Sequence, residues 1–168
     1  MSDDYRKMAA DAKAALKERE VQLKSETQIA RDKRKEYVEK AASPLRDGVL
    51  PALQKAVEGF KAEGIDAKIE SELDVTSYAS RDPVVKFQCL GPRRVSDGWQ
   101  FEARPIFFSS DGDRMKLGVG NYGFSRDSDN TIAEENVNNY NELVRIGLGK
   151  ALEFYREGYE QNQNALGR

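Results

Sequence analysis

The stretch GIDAKIESELDV, residues 64–75, is where the chain changes period. Before it, apolar residues recur at spacings of three and four. Within it, Ile65, Ala67, Ile69, Ser71, Leu73 and Val75 alternate with Asp66, Lys68, Glu70, Glu72 and Asp74. Strict alternation places one set on a dry face and the other on a wet face of a β-strand. Gly64, directly after Glu63, supplies the residue that ends the preceding helix, because glycine alone enters the left-handed region without steric cost.

Downstream the same alternation returns. Val85, Phe87 and Cys89 form one run; Trp99, Phe101, Ala103 and Phe107 a second; Met115, Leu117 and Val119 a third. The intervening segments SYASRDP (77–83), GPRRVSDG (91–98) and SSDGD (109–113) are rich in turn formers. Together with 65–75 these runs predict a four-stranded antiparallel meander with one apolar face. The helical period is expected to resume at Thr131. Glu134 follows it at capping-box spacing, and Ala133, Val137, Tyr140, Val144, Leu148, Leu152, Tyr155 and Tyr159 share one face. Residues 161–168, QNQNALGR, read as a flexible polar tail.

Upstream of the switch, Ser43 and Pro44 make an N-cap and first-turn pair. The stripe Leu45, Val49, Leu53, Val57 and Phe60 follows them. Pro51 conflicts with that helix, since it removes an internal donor; either the helix kinks near Asp47–Gly48 or its regular part begins around Pro51. Residues 1–42 hold no glycine or proline and are dominated by strong helix formers, with Asp3 and Asp4 at the favourable end of the dipole. Ala9, Leu16, Leu23, Ala30 and Tyr37 recur every seven positions. A second line begins with Tyr5 and Ala12 but is interrupted by Arg19, Glu26 and Lys33. A firm coiled coil needs both lines apolar, so a largely solvated helix with one narrow apolar edge is expected.

The predicted fold is therefore α+β: a long N-terminal helix, a second helix, a four-stranded antiparallel meander and a C-terminal helix, with helices covering one sheet face. The expected organisation is an extended charged helix over 1–42, a globular domain over 43–160 and the tail.

Composition removes several chemistries. The 168 residues include no histidine, so there is no histidine base, no Ser–His or Cys–His pair and no histidine zinc ligand. The lone Cys89 excludes an intrachain disulfide and a multi-cysteine metal site. Lys and Arg total 27 against 29 Asp and Glu, a balance that argues against nucleic acid as a partner. No apolar run reaches the length of a membrane span, and residues 1–20 lack the apolar core of a secretory signal. A cytoplasmic location is the expectation.

Residues 118–123 read Gly-Val-Gly-Asn-Tyr-Gly, a literal dinucleotide fingerprint. That motif needs a strand-to-helix turn within a βαβ unit, which is missing here, so a bulged strand or a close backbone approach is expected instead. Glu70, Glu72 and Asp74 are expected to face Lys86, Arg104 or Lys116 across the sheet, and Asp111, Asp113, Asp127 and Asp129 to sit in solvated turns. Basic residues 31–35 (RDKRK) are interleaved with acids along the helix and read as a salt-bridged surface. Arg93 and Arg94 read as a cationic turn beside a core Trp99, and Cys89 as buried and inert. No cofactor, metal site or catalytic group is indicated.

Two functional expectations remain. The first is a non-catalytic protein-interaction module whose N-terminal helix binds a protein partner or a second copy through Leu16, Leu23, Ala30 and Tyr37. The alternative is a carrier of a small apolar ligand, held between sheet and helices by Phe87, Trp99, Phe101, Phe107, Met115 and Leu117.

Overall fold

A computed structural model describes residues 2–78, 81–120 and 130–166. It is an α+β structure. Helix α1 spans Ser2–Pro44, a π-helical turn spans Leu45–Val49, and helix α2 spans Leu50–Ala62. Five strands follow: β1 (Asp66–Glu72), β2 (Val84–Leu90), β3 (Ile106–Ser110), β4 (Arg114–Val119) and β5 (Thr131–Asn136). Helix α3 runs over Tyr140–Leu166. The sheet order is β1-β2-β3-β4-β5 with every neighbouring pair antiparallel, a meander of five strands rather than the expected four.

The chain divides into two compact units, Met1–Glu36 and Tyr37–Arg168. The boundary falls earlier than the expected 42/43 because the last turns of α1 already belong to the core of the second unit. Val38, Ala41 and Ala42 are buried there. The expected N-cap at Ser43 does not form, and the Ser43 hydroxyl instead donates to Asp47 Oδ2 at 3.2 Å. Pro44 is helical, and the amide of Leu50 donates to the Leu45 carbonyl, five residues back. Pro51 explains this turn. In a regular α-helix its ring would strike the carbonyl four residues earlier, and a widened turn immediately before it removes that conflict without breaking the helix. The same turn directs Leu45, Val49 and, in α2, Leu53 into the core.

Two further corrections concern the strands. The run read as Trp99–Phe107 is not one strand. The 101–103 segment does lie beside β2: Gly91 donates to the Phe101 carbonyl and Ala103 to the Cys89 carbonyl. In β3, however, Ile106 lies opposite Phe87, so Arg104–Pro105 holds one residue too many for the ladder. This irregularity flips the parity. Phe101 and Ala103 face the core before it, whereas Ile106, Phe108 and Ser110 face the core after it. Phe107 therefore points to the opposite face. The second correction is at Thr131, which opens β5 rather than a helix. Leu117 lies opposite Ala133 and Lys116 opposite Glu134. Asn136 is the residue that caps, its side chain accepting from the Asn138 amide at 3.0 Å. A 3-10 turn, Val137–Asn139, then leads into α3. That helix continues through residues 161–166 of the expected tail.

The core lies between one sheet face and the helices α2 and α3. Val85, Phe87 and Cys89 of β2, Ile106 and Phe108 of β3, and Met115 and Leu117 of β4 pack with Leu45, Leu53, Leu143 and Phe154. Such burial is the main stabilising contribution, at about 1.5–3 kcal/mol for each large side chain. The opposite sheet face carries charge. Lys68 meets Glu102 at 2.8 Å, Lys86 meets Glu70 at 3.4 Å, and Arg114 meets Glu134 at 3.1 Å.

Candidate functional site

In the first unit, every residue from Ser2 to Lys33 is exposed. Leu16 is 65% exposed and Leu23 54%, and Ala30 is exposed with them. Tyr5, Met8, Val21 and Ile29 are also large apolar residues in the open. At about 100° per residue, the Ala9–Leu16–Leu23–Ala30 line drifts only some 20° per heptad. The line of Arg19, Glu26 and Lys33 runs beside it, and Met8 and Ile29 lie beyond that second line. The result is a narrow apolar edge through Ala9, Leu16, Leu23 and Ala30, divided from Met8 and Ile29 by the charged line, with Val21 on the far side of the helix. The heptad reading found Leu16, Leu23 and Ala30 but missed Met8, Val21 and Ile29, which fall off the seven-residue line. The helix is held locally by its own turns: Thr27 Oγ1 donates to the Leu23 carbonyl at 2.8 Å, and Gln28 donates to Asp32 at 3.0 Å.

Tyr37, the fourth expected contact, belongs to the second unit and is engaged there. It is half-buried, and its hydroxyl donates to Asp82 Oδ1 at 2.6 Å.

The residues expected to line a ligand cavity separate into two groups. Phe87, Phe101, Met115 and Leu117 come together in the core. Side chains and backbone of the helices occupy the space around them: Phe60 meets Phe87 edge-on at 5.9 Å, Tyr155 stacks on Phe101 at 5.9 Å, and Phe108 packs against Gly147 of α3. Trp99 and Phe107 are not part of this group. Phe107 lies on the charged sheet face, opposite Lys86 and Gly118. Trp99 is 46% exposed, with the Arg94 guanidinium 4.7 Å above its ring.

Trp99 closes a turn held by side-chain and backbone hydrogen bonds. Arg94 and Asp97 pair through 3.2 and 2.7 Å contacts, and Asp97 Oδ1 accepts from the Trp99 amide at 2.9 Å. The Arg94 amide donates to the Trp99 carbonyl, and Gly98 takes the positive φ of 69° that the turn requires. The Trp99 amide is the largest influence and holds the Asp97 carboxyl below its ordinary range; burial opposes it, and the Arg94 charge and hydrogen bond add smaller lowering contributions. A surface cleft of ≈ 400 Å³ opens nearby, between α2 and the start of β1. Val57, Ala67 and Leu90 supply apolar surface, and Lys61, Arg93 and Gln100 polar groups. It joins residues distant in the sequence, so no spacing pattern announced it.

The carboxylates of the sheet serve as pairing groups. Glu70 contacts Lys68 and Lys86, and Glu72 contacts Arg81. Arg104, expected among their partners, lies over the Phe154 ring at 4.6 Å, and Lys116 stands opposite Glu134. Asp111 accepts from the amides of Asp113 and Arg114 and so builds the β3–β4 turn. Asp127 and Asp129 lie outside the described residues. Among the described residues no group of three or more acidic or cysteine side chains could hold a metal ion. Cys89 is buried, and burial pushes its thiol up to about 11. The glycine motif is described only as far as Gly120. Within the described part the β4–β5 register shifts between Leu117 and Gly118, as expected of a bulged strand. Among the described residues no helix is long and apolar enough to cross a membrane.

Comparison with known proteins finds no matching family model, curated protein or solved structure.

Proposed function

We propose that this protein is a non-catalytic interaction module whose first unit associates with a second copy of the chain. The observation that carries this reading is the narrow apolar edge of α1, where Leu16 and Leu23 are each more than half exposed on a helix built from strong helix formers. A long helix without tertiary packing draws little stability from propensity alone, and burying such an edge against another helix supplies what it lacks. The non-catalytic part of the reading is supported by the engagement of the sheet carboxylates in ion pairs and by the burial of the only thiol.

Light scattering on the full chain tests the reading. Wild type is expected at twice the monomer mass at micromolar concentration. Leu16→Glu combined with Leu23→Glu is expected at the monomer mass, with unchanged melting of the second unit. A wild-type chain that stays monomeric across the accessible concentration range would falsify the self-association.

A further inference from the structure

We infer that the two copies pair antiparallel through residues 2–36, about a two-fold axis near residue 21. This inference rests on the self-association proposed above and adds the orientation and the pairing of residues.

The charged seam decides it. Arg19, Glu26 and Lys33 occupy the line beside the apolar edge, all exposed, and none has an ion-pair partner among the described residues. In a parallel, in-register pair, each of them meets its own image across the seam. Arginine faces arginine, glutamate faces glutamate, and lysine faces lysine in successive layers, and each like-charged contact is unfavourable. Antiparallel pairing removes all three conflicts. With the axis at residue 21, Arg19 of one copy comes level with Leu23 of the other and Glu26 level with Leu16. Arg19 and the other copy's Glu26 then stand in adjacent layers, about 4.5 Å apart along the axis and within reach of their long side chains, and the two-fold repeats the contact. Leu16 and the second copy's Leu23 likewise stand in adjacent layers, about 4.5 Å apart along the axis. Ala12 comes level with Ala30, and Ala9 with Lys33. The small alanine leaves room for the lysine stem to lie along the seam while its ammonium reaches water. The long stems of Arg19 and Glu26 cover the neighbouring leucines in the same way. Opposed helix dipoles add a small favourable contribution.

Single-cysteine crosslinking of the full chain tests the orientation. The native Cys89 is buried and stays out of the reaction. Ala12→Cys and Ala30→Cys each replace a small exposed residue. In the antiparallel pair an equimolar mixture of the two variants forms the mixed 12–30 disulfide on mild oxidation. Ala12→Cys alone forms none, because its two copies lie about 27 Å apart along the axis at 1.5 Å per residue. Disulfides need Cα atoms within about 7 Å. Peptide mapping after alkylation reads the link. A charge reversal gives an independent measure. Arg19→Glu is expected to weaken association about tenfold by opposing Glu26, and adding Glu26→Arg to it is expected to restore the affinity. In a parallel pair both variants leave like charges opposite like, as in wild type, and neither change moves the affinity. A 12–12 disulfide, or a dimer that yields no mixed disulfide and ignores the reversal, overturns the orientation while leaving self-association standing. A monomeric wild type removes both.

Discussion

Gly147 and Gly149 stand two residues apart on α3, and alanine acts on them in opposite directions. A β-carbon at Gly147 would lie 2.7 Å from Phe108 Cζ and 3.0 Å from Ile106 Cδ1. Those side chains are fully buried, so neither can retreat without disturbing its neighbours. Gly147→Ala is expected to destabilise the second unit by about 1–3 kcal/mol. At Gly149 nothing lies within 4 Å of the added carbon. Alanine there is expected to stabilise by up to about 1 kcal/mol, through the backbone freedom it removes from the unfolded chain. Urea denaturation measures both, and equal changes of the same sign would contradict the close approach of α3 to β3. Neither outcome was legible in the sequence. Both glycines sit in a helical stretch with the same local context, and only the packed sheet distinguishes them. Leu45, Leu53, Phe87 and Leu117, by contrast, were legible as core residues because each lies on the periodic face of its own element.

At the scale of elements, the sequence reading succeeded where periodicity ran unbroken and failed where it was interrupted. Phe107 was placed on the wrong face because the extra residue at Arg104–Pro105 shifts parity, and alternation counted from Trp99 carries no sign of the shift. Proline cannot donate to a ladder, and so Pro105 was the one available signal. Strand β5 was missed because Thr131 and Glu134 satisfy a capping box while Ala133 and Val137 satisfy a helical stripe. The strand forms because the edge of β4 offers a ladder and Arg114 pairs with Glu134. The turn over residues 94–99 carries its own prediction. Its folded form favours the ionised Asp97, whose carboxyl lies below the ordinary value of 3.8. A depressed carboxyl contributes stability at higher pH and loses it as pH falls through the folded value. The emission of Trp99, the only tryptophan, is therefore expected to stay constant from neutrality down to the ordinary aspartate range and to change below it. Asp97→Ala should show the acid-type emission already at neutral pH and no change of its own in acid. Identical acid profiles for the two proteins would remove Asp97 as the group that holds the turn.

At the scale of the whole molecule, the two units draw stability from different sources. The second holds a close-packed core, and the backbone hydrogen bonds of its buried strands are expected to open only with large-scale unfolding. Residues 2–33 are exposed throughout, so their helical hydrogen bonds are held by propensity and by local pairs alone. Amide hydrogen exchange separates the two regimes. Amides of Val85–Cys89 and Leu45–Leu53 are expected to exchange slowly and at a rate independent of protein concentration. Amides across residues 9–30 are expected to exchange faster in dilute solution and to gain protection as concentration rises, because association stabilises only the paired form by mass action. Leu16→Glu with Leu23→Glu should abolish that concentration dependence while leaving the core amides unchanged. Protection that rises equally in both units would place the interface on the second unit. Protection across 9–30 that never responds to concentration would mean that α1 is stable without a second copy, and the exposed edge would then need another explanation.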